Sequence, residues 1–249
     1  MKDMKQKARV GFVESTNTPP LSPDTITWAK NIAETLVSRD EMLTSQFVFH
    51  AGSLPEVTHP EYDVSEVYKV SVSSDRTLDP DEKLICEALQ FIIKNERTQE
   101  RIRNAIGYIA EYFQVIKKRR RHGGHAVTHR ANLMIDGKKC THGQREEIDI
   151  GIDRLAGDWA LEMCECTTSA RRFADSKIDQ INFYAFAFKK IRAIVDPGVR
   201  LTMELVAGCT TRRGFSDVNI PDDFTRNNVQ VLGISLSNGH TYELNKLDA

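Results

Sequence analysis

The stretch Glu147-Ile148-Asp149-Ile150-Gly151-Ile152-Asp153, followed after Gly157-Asp158 by Trp159-Ala160-Leu161-Glu162-Met163-Cys164-Glu165-Cys166-Thr167, decides the fold class. Apolar and polar residues alternate over 148–153, which is the period of a half-buried strand with its isoleucines on one face. The second run reads as another strand, and Gly157 with Asp158 supplies the turn that folds it back antiparallel. Downstream, residues 170–191 read as a long helix. Val199-Arg200-Leu201-Thr202-Met203-Glu204-Leu205-Val206 reads as a third strand, giving a ββαβ unit. Two short strands, near 229–235 and 241–244, close the chain.

Upstream the pattern is helical. Residues 25–38 place Trp28, Ile32 and Leu36 on one stripe, and residues 46–49 and 67–72 read as short strands. Asp79-Pro80-Asp81-Glu82 opens a helix whose apolar face carries Leu84, Ala88, Phe91 and Ile92. Another helix carries Ile102, Ile106, Ile109, Phe113 and Ile116, ends in Lys117-Lys118-Arg119-Arg120-Arg121, and is stopped by Gly123-Gly124. Residues 14–24 and 122–146 are turn-rich or polar and read as loops. The expected class is α/β, with α+β as the alternative: a mixed sheet containing the ββαβ unit, flanked by helices. Residues 1–78 form an N-terminal elaboration (a helix plus short strands) and residues 79–249 the core with its own N-terminal helices. The whole makes one compact domain.

Composition bounds the function. The 249 residues carry 34 Lys+Arg against 35 Asp+Glu, a net charge of -1, with 40% hydrophobic residues. That excludes a disordered or fibrous chain, and no apolar run approaches the roughly 20 residues that cross a bilayer. The charged start, Met1-Lys2-Asp3-Met4-Lys5, leads into no apolar signal region. Five scattered cysteines, an odd number, fit a reduced, intracellular, cytoplasmic protein that is not secreted. Near-neutral balance means that any nucleic-acid contact must use a local basic patch. Lys117, Lys118, Arg119, Arg120 and Arg121 are the candidate patch, since five bases exceed what a helix C-terminus needs; a helix terminus complementing its dipole is the alternative. His122, His125, His129, Cys140 and His142 cluster nearby, but their spacing matches no structural zinc pattern. A nucleic-acid-facing loop is the alternative.

The chemistry concentrates in the strand pair. Asp149 and Glu165 fall on adjacent antiparallel strands, where acids are costly to bury unless paired or bound to a cation. With the backbone carbonyl of Cys166 they form an oxygen-rich site suited to Mg²⁺ or Mn²⁺. The plain alternative for Asp149 is the exposed half of an edge strand. Lys177, Gln180 and Tyr184 recur at i, i+3, i+7 on the following helix and share one stripe. A lysine beside a carboxylate-held metal can orient a water and balance phosphate charge, the parts of phosphodiester hydrolysis.

These residues resemble the PD-(D/E)xK nuclease superfamily over about residues 147–206. In that family the first strand supplies Asp and the second Glu-x-Lys. Here the second reads Glu165-Cys166-Thr167, and Lys177 on the helix would take the lysine's role. Glu165-Cys166-Thr167-Thr168 with a helical lysine is similar to the cap-snatching endonuclease domains of segmented negative-strand RNA virus polymerases. Gln180-Ile181-Asn182-Phe183-Tyr184 is similar to the Gln-xxx-Tyr motif of RecB-type DNA nucleases. The resemblance implies a restriction-endonuclease-like core and a Mn²⁺- or Mg²⁺-dependent endonuclease acting on RNA. DNA cleavage of restriction or RecB type, or a degenerate fold that only binds nucleic acid, are the alternatives. It further implies Glu87 as an additional ligand from an N-terminal helix, Gln180 and Tyr184 near the nucleic acid, a larger polymerase or nuclease assembly as context, and no membrane partner.

Overall fold

Strand formation at 148–153 is realised as the inner strand of a broad mixed sheet. The computed structural model describes residues 9–17, 19–39, 44, 47, 63–66, 77–154, 159–168, 178–208 and 211–245. In chain order these form β1 (Val10–Glu14), α1 (Pro23–Ser38), α2 (Pro80–Glu96), α3 (Gln99–His122), β2 (Val127–Ile135) and β3 (Lys138–Lys139). They continue with β4 (Glu147–Arg154), β5 (Ala160–Thr167), α4 (Ile178–Arg192), β6 (Arg200–Ala207), α5 (Asp222–Arg226), β7 (Val229–Ser235) and β8 (Thr241–Glu243). The sheet runs β1-β2-β4-β5-β6-β7-β8, with β3 paired to β2. Its first half is antiparallel, β5, β6 and β7 are parallel, and β8 returns antiparallel. The architecture is α/β.

Helices cover both faces, as a largely parallel centre requires. On one face α1, α2 and α3 bury Ile32, Ile85, Leu89, Ile106 and Ile109 against Ile150, Ile152, Cys164, Cys166 and Val206. On the other, α4 and α5 bury Phe183, Tyr184, Phe188 and Phe224 against Leu161, Met163, Met203 and Val231. Local signals set the helix ends. Asp79 accepts from the amides of Asp81 and Glu82 while the Glu82 side chain returns to the Asp79 amide, a complete capping box. Arg97 takes a left-handed turn and Thr98 caps α3, so two residues join α2 to α3.

Several expectations change. Residues before 79 supply β1 of the sheet and α1 of the helical layer. The segment read as a polar loop over 122–146 contains β2, a nine-residue strand between β1 and β4. Within the expected strand at 46–49 only Phe47 is described, and it is helical and buried among the α1–α3 core. The strand expected at 67–72 lies outside the described residues. The isoleucines of β4 do not share a face: Ile150 and Ile152 pack under the helical layer, whereas Ile148 packs in the opposite cluster. Both β2 and β4 switch sides where Arg130 stands opposite Asp149, between the pairs His129–Ile150 and Ala131–Ile148. Arg130 has φ +48°, a left-handed conformation that costs a non-glycine residue about 1–2 kcal/mol. Gly151 is required nearby, because the Phe12 ring comes within 2.4 Å of where a Cβ would stand. Among the described residues, no helix is long and apolar enough to cross a membrane.

The basic run is also corrected. Lys118 is buried, not solvated: its Nζ lies 2.5 Å from the Glu204 carboxylate on β6 and 3.7 Å from Glu162 on β5. Arg154 grips Glu162 from β4 at 2.5 Å. Burial pulls the Lys118 ammonium down, but the facing carboxylates hold it above its ordinary value, so it remains a cation. Lys118→Ala leaves two carboxylates buried against one arginine. It should cost about 3–5 kcal/mol in urea unfolding, whereas Lys117→Ala at the exposed neighbouring position should stay within about 0.5 kcal/mol. Equal, small losses would show that the buried cluster does not hold the helix to the sheet.

Candidate active site

The β4–β5 hairpin pairs Ile150 with Cys164 and Gly151 with Met163. Continued by one residue, this register sets Asp149 opposite Glu165, and directly opposed residues of an antiparallel pair present their side chains on the same face. Asp149 is half-buried, and its Oδ2 accepts the amide of Cys166 at 2.8 Å. A carboxylate thus takes the place of a ladder carbonyl at the end of β5. Glu165 is 1% exposed. The hydroxyl of Tyr184 on α4 donates to its Oε2 at 2.5 Å. Burial first, then the charges of Glu165 and Asp149, push the Tyr184 hydroxyl well above its ordinary range, which keeps it a donor.

Gln180, one turn earlier, donates through Nε2 to the Tyr184 oxygen at 3.1 Å and to the Glu147 backbone carbonyl at 2.7 Å. An amide nitrogen has two hydrogens, so both bonds are available to it. The chain of contacts Glu147–Gln180–Tyr184–Glu165 ties α4 to both strands and fixes the orientation of the Glu165 carboxylate. On the other side of β4, Arg130 Nε and Nη2 donate to Glu147 Oε1 at 3.0 and 2.7 Å.

A cleft of about 580 Å³ opens beside the end of β5, with Cys166, Thr167 and Thr168 in its wall. Arg103, Tyr108 and Glu111 of α3 line the opposite wall, and Arg130 and Glu147 close one end. Arg103 and Arg130 share the lining with Glu100, Glu111 and Glu147, so its charge is mixed. Glu111 Oε2 lies 3.4 Å from His129 Nε2, and His129 sits among the rings of Tyr108 and Tyr112. Burial, reinforced by the charges of Arg130 and Arg119, pushes His129 down to about 4. The contact is therefore a hydrogen bond from neutral imidazole and not an ion pair.

The structure brings Asp149, Glu165 and the end of β5 at Cys166 together, and it brings Gln180 and Tyr184 to them. Both helical residues are buried, so they position Glu165 and do not offer a nucleic-acid-binding surface. Lys177 lies outside the described residues, directly before α4. Glu87 is not gathered with the pair: it is exposed on α2 beside Cys86, and α2 packs on α1 and α3. The histidine cluster is dispersed: His129 faces α3, and His142 stacks on Phe186 of α4 at 4.6 Å. Cys164 and Cys166 are free thiols 3.7 Å apart, in packed surroundings. Sequence reasoning missed Arg130, His129, Glu147 and Glu111 as parts of one site. One signal for Glu111 was Gly107, which costs a helix about 1 kcal/mol relative to Ala. It lines the cleft, with nothing within 4 Å of where its Cβ would be.

Hard oxygen donors are what Mg²⁺ and Mn²⁺ take, and Mg²⁺ is commonly held by one or two carboxylates with waters and substrate phosphates completing the shell. Asp149 and Glu165 fit that demand. Among the described residues no three His, Cys, Asp or Glu gather at metal-holding spacing. No family model matches the chain, and no curated protein matches it.

His129 gives the site a pH dependence of stability. Its folded value lies below the ordinary 6.5, so the neutral form belongs to the native state and unfolding takes up a proton. The contribution is intact above pH 6.5 and is lost as pH falls toward 4. At about 1.4 kcal/mol per unit, a fall from 6.5 to about 4 amounts to roughly 3–4 kcal/mol. Urea unfolding at pH 7 and pH 4.5 should show a larger acid loss in the wild type than in His129→Gln. Parallel losses would mean that His129 is not held neutral by burial.

Proposed function

We propose that the chain is a divalent-metal-dependent nuclease that hydrolyses phosphodiester bonds, with RNA as the first substrate class. The observation that carries the reading is the meeting of Asp149 with the end of β5: its Oδ2 accepts the Cys166 amide beside Glu165, and Tyr184 of the next helix donates to Glu165. In this reading Asp149, Glu165 and the Cys166 carbonyl would hold Mg²⁺ or Mn²⁺. Bound there, the metal would polarise the phosphate and lower the pKa of a water. Tyr184 and Gln180 keep Glu165 aimed, and Arg103 and Arg130 complement the charge of an incoming phosphate. Lys177 would serve the attacking water or the transition state. A second reading, a DNA nuclease, is favoured by Gln180 and Tyr184, because the Gln-xxx-Tyr pair that resembles RecB-type enzymes does reach the carboxylate.

Metal should stabilise the native state by mass action, because it relieves repulsion between the paired carboxylates. Millimolar Mn²⁺ should raise the melting temperature of the wild type, and Asp149→Asn and Glu165→Gln should abolish the rise. Labelled single-stranded RNA and duplex DNA, each with Mn²⁺ and with Mg²⁺, test cleavage and separate the two substrate readings. Lys177→Ala should keep the melting shift but lose about 10²-fold or more in cleavage, the scale of one preorganised catalytic group. No cleavage of either substrate by the wild type would leave a nucleic-acid-binding fold and remove the enzyme. Near-wild-type cleavage by Lys177→Ala would remove the helical lysine from the mechanism.

A further inference from the structure

The five-base run at the end of α3 is not one surface, because the helix sends its members in three directions. Lys118 turns inward to Glu204 and Glu162. Arg119 is exposed on the His129 side, where its charge bears on that imidazole. Lys117, Arg120 and Arg121, at i, i+3 and i+4, are exposed together along one groove of about 440 Å³. Arg39 joins them from the end of α1, and Ser237, beyond β7, completes the far wall. Four cationic side chains meet there, and no described lining residue is acidic.

Three of the four also make other contacts. Lys117 Nζ sits over the Phe113 ring at 5.3 Å, and one Arg120 nitrogen donates to the Val37 carbonyl at 3.3 Å, out of five donors in the group. Arg39 also contacts Asp81. A helix C-terminus carries only about half a negative charge, so the dipole does not account for three exposed cations on one side of it. The groove lies on the C-terminal part of α3, whereas the cleft beside the end of β5 uses the N-terminal part. From Gly107 to Arg120 is about 20 Å at 1.5 Å per residue.

We infer that this groove is a second nucleic-acid contact, binding the phosphodiester backbone of a strand away from the point of cleavage. The assignment deepens the nuclease reading, on which the identity of the ligand rests. The phosphate-binding chemistry itself follows from the groove alone.

The test is binding of a labelled single-stranded oligonucleotide to the full chain in EDTA, which removes cleavage from the readout, over a series of salt concentrations. The triple variant Lys117→Gln, Arg120→Gln, Arg121→Gln should bind with a salt slope shallower by about 0.7 log units per lost contact, about two units in all. Arg119→Gln, from the same run but outside the groove, should keep the wild-type slope. All the altered side chains are exposed, so unchanged melting temperatures should accompany both results. A wild-type slope in the triple variant, or an equal flattening in Arg119→Gln, would overturn the groove. Inorganic tripolyphosphate is the second probe. Tripolyphosphate binding that the triple variant loses, with the oligonucleotide slope unmoved, would overturn the nucleic-acid assignment in favour of a small phosphate ligand. A flattened slope in the triple variant, alongside a wild type that cleaves nothing, would instead sink the nuclease reading and leave the groove standing.

Discussion

Strand β5 is buried along all eight of its residues and yet carries two carboxylates, Glu162 and Glu165. An ionised carboxylate removed from water loses several kcal/mol unless charge or hydrogen bonds replace the solvent, so both ends of this strand dictate what must surround them. At one end Lys118 of α3 and Arg154 of β4 answer Glu162, and Lys118 also reaches Glu204. At the other, α4 must lie where Tyr184 can reach Glu165. The two helices that sandwich the sheet are thus fixed by the polar demands of the strand between them, and the apolar clusters fill in around those contacts.

The same demand separates structure from chemistry. Glu162 is answered by cations and is neutralised in place. Glu165 is answered at one oxygen by a neutral hydroxyl, that of Tyr184. Arg130 adds a second constraint, since its left-handed backbone lies where β2 and β4 exchange faces and its guanidinium then clasps Glu147. Backbone strain held by its surroundings commonly marks a functional site.

Much of this was legible in the sequence. Alternation over 148–153, the second run to Thr167, the following helix and the strand at 199–206 place Asp149 and Glu165 on neighbouring strands, with Gln180 and Tyr184 near them. What was not legible depends on partners distant in sequence. β2 reads as loop because His129, Arg130 and Asn132 interrupt its apolar pattern, and His129 and Arg130 contact Glu111 and Glu147 of the cleft. Lys118 reads as solvated because its run is all charge, while the acid that buries it is 86 residues away. Alternation also predicts one face for every isoleucine of β4, but a strand that twists through a strained partner at Arg130 changes sides midway. Glu87 was chosen for its helix. The helical acid that does line the cleft, Glu111, lies on α3, the helix that lies against β2 and β5.

The strand order has a kinetic consequence. Apart from β1, neighbours in the sheet follow the chain closely, and most pairings close over one hairpin or one helical crossover. β1 is different: Val10 pairs with Ile135, about 125 residues further on. Closing a loop of that length costs about 2–3 kcal/mol more in chain entropy than closing the β4–β5 hairpin. Topology therefore orders assembly, with β2, β4 and β5 pairing before the N-terminal strand docks. It also orders disassembly, because the strand added last, at the sheet's edge with Val13 half-exposed, is the one whose departure leaves the rest of the ladder intact.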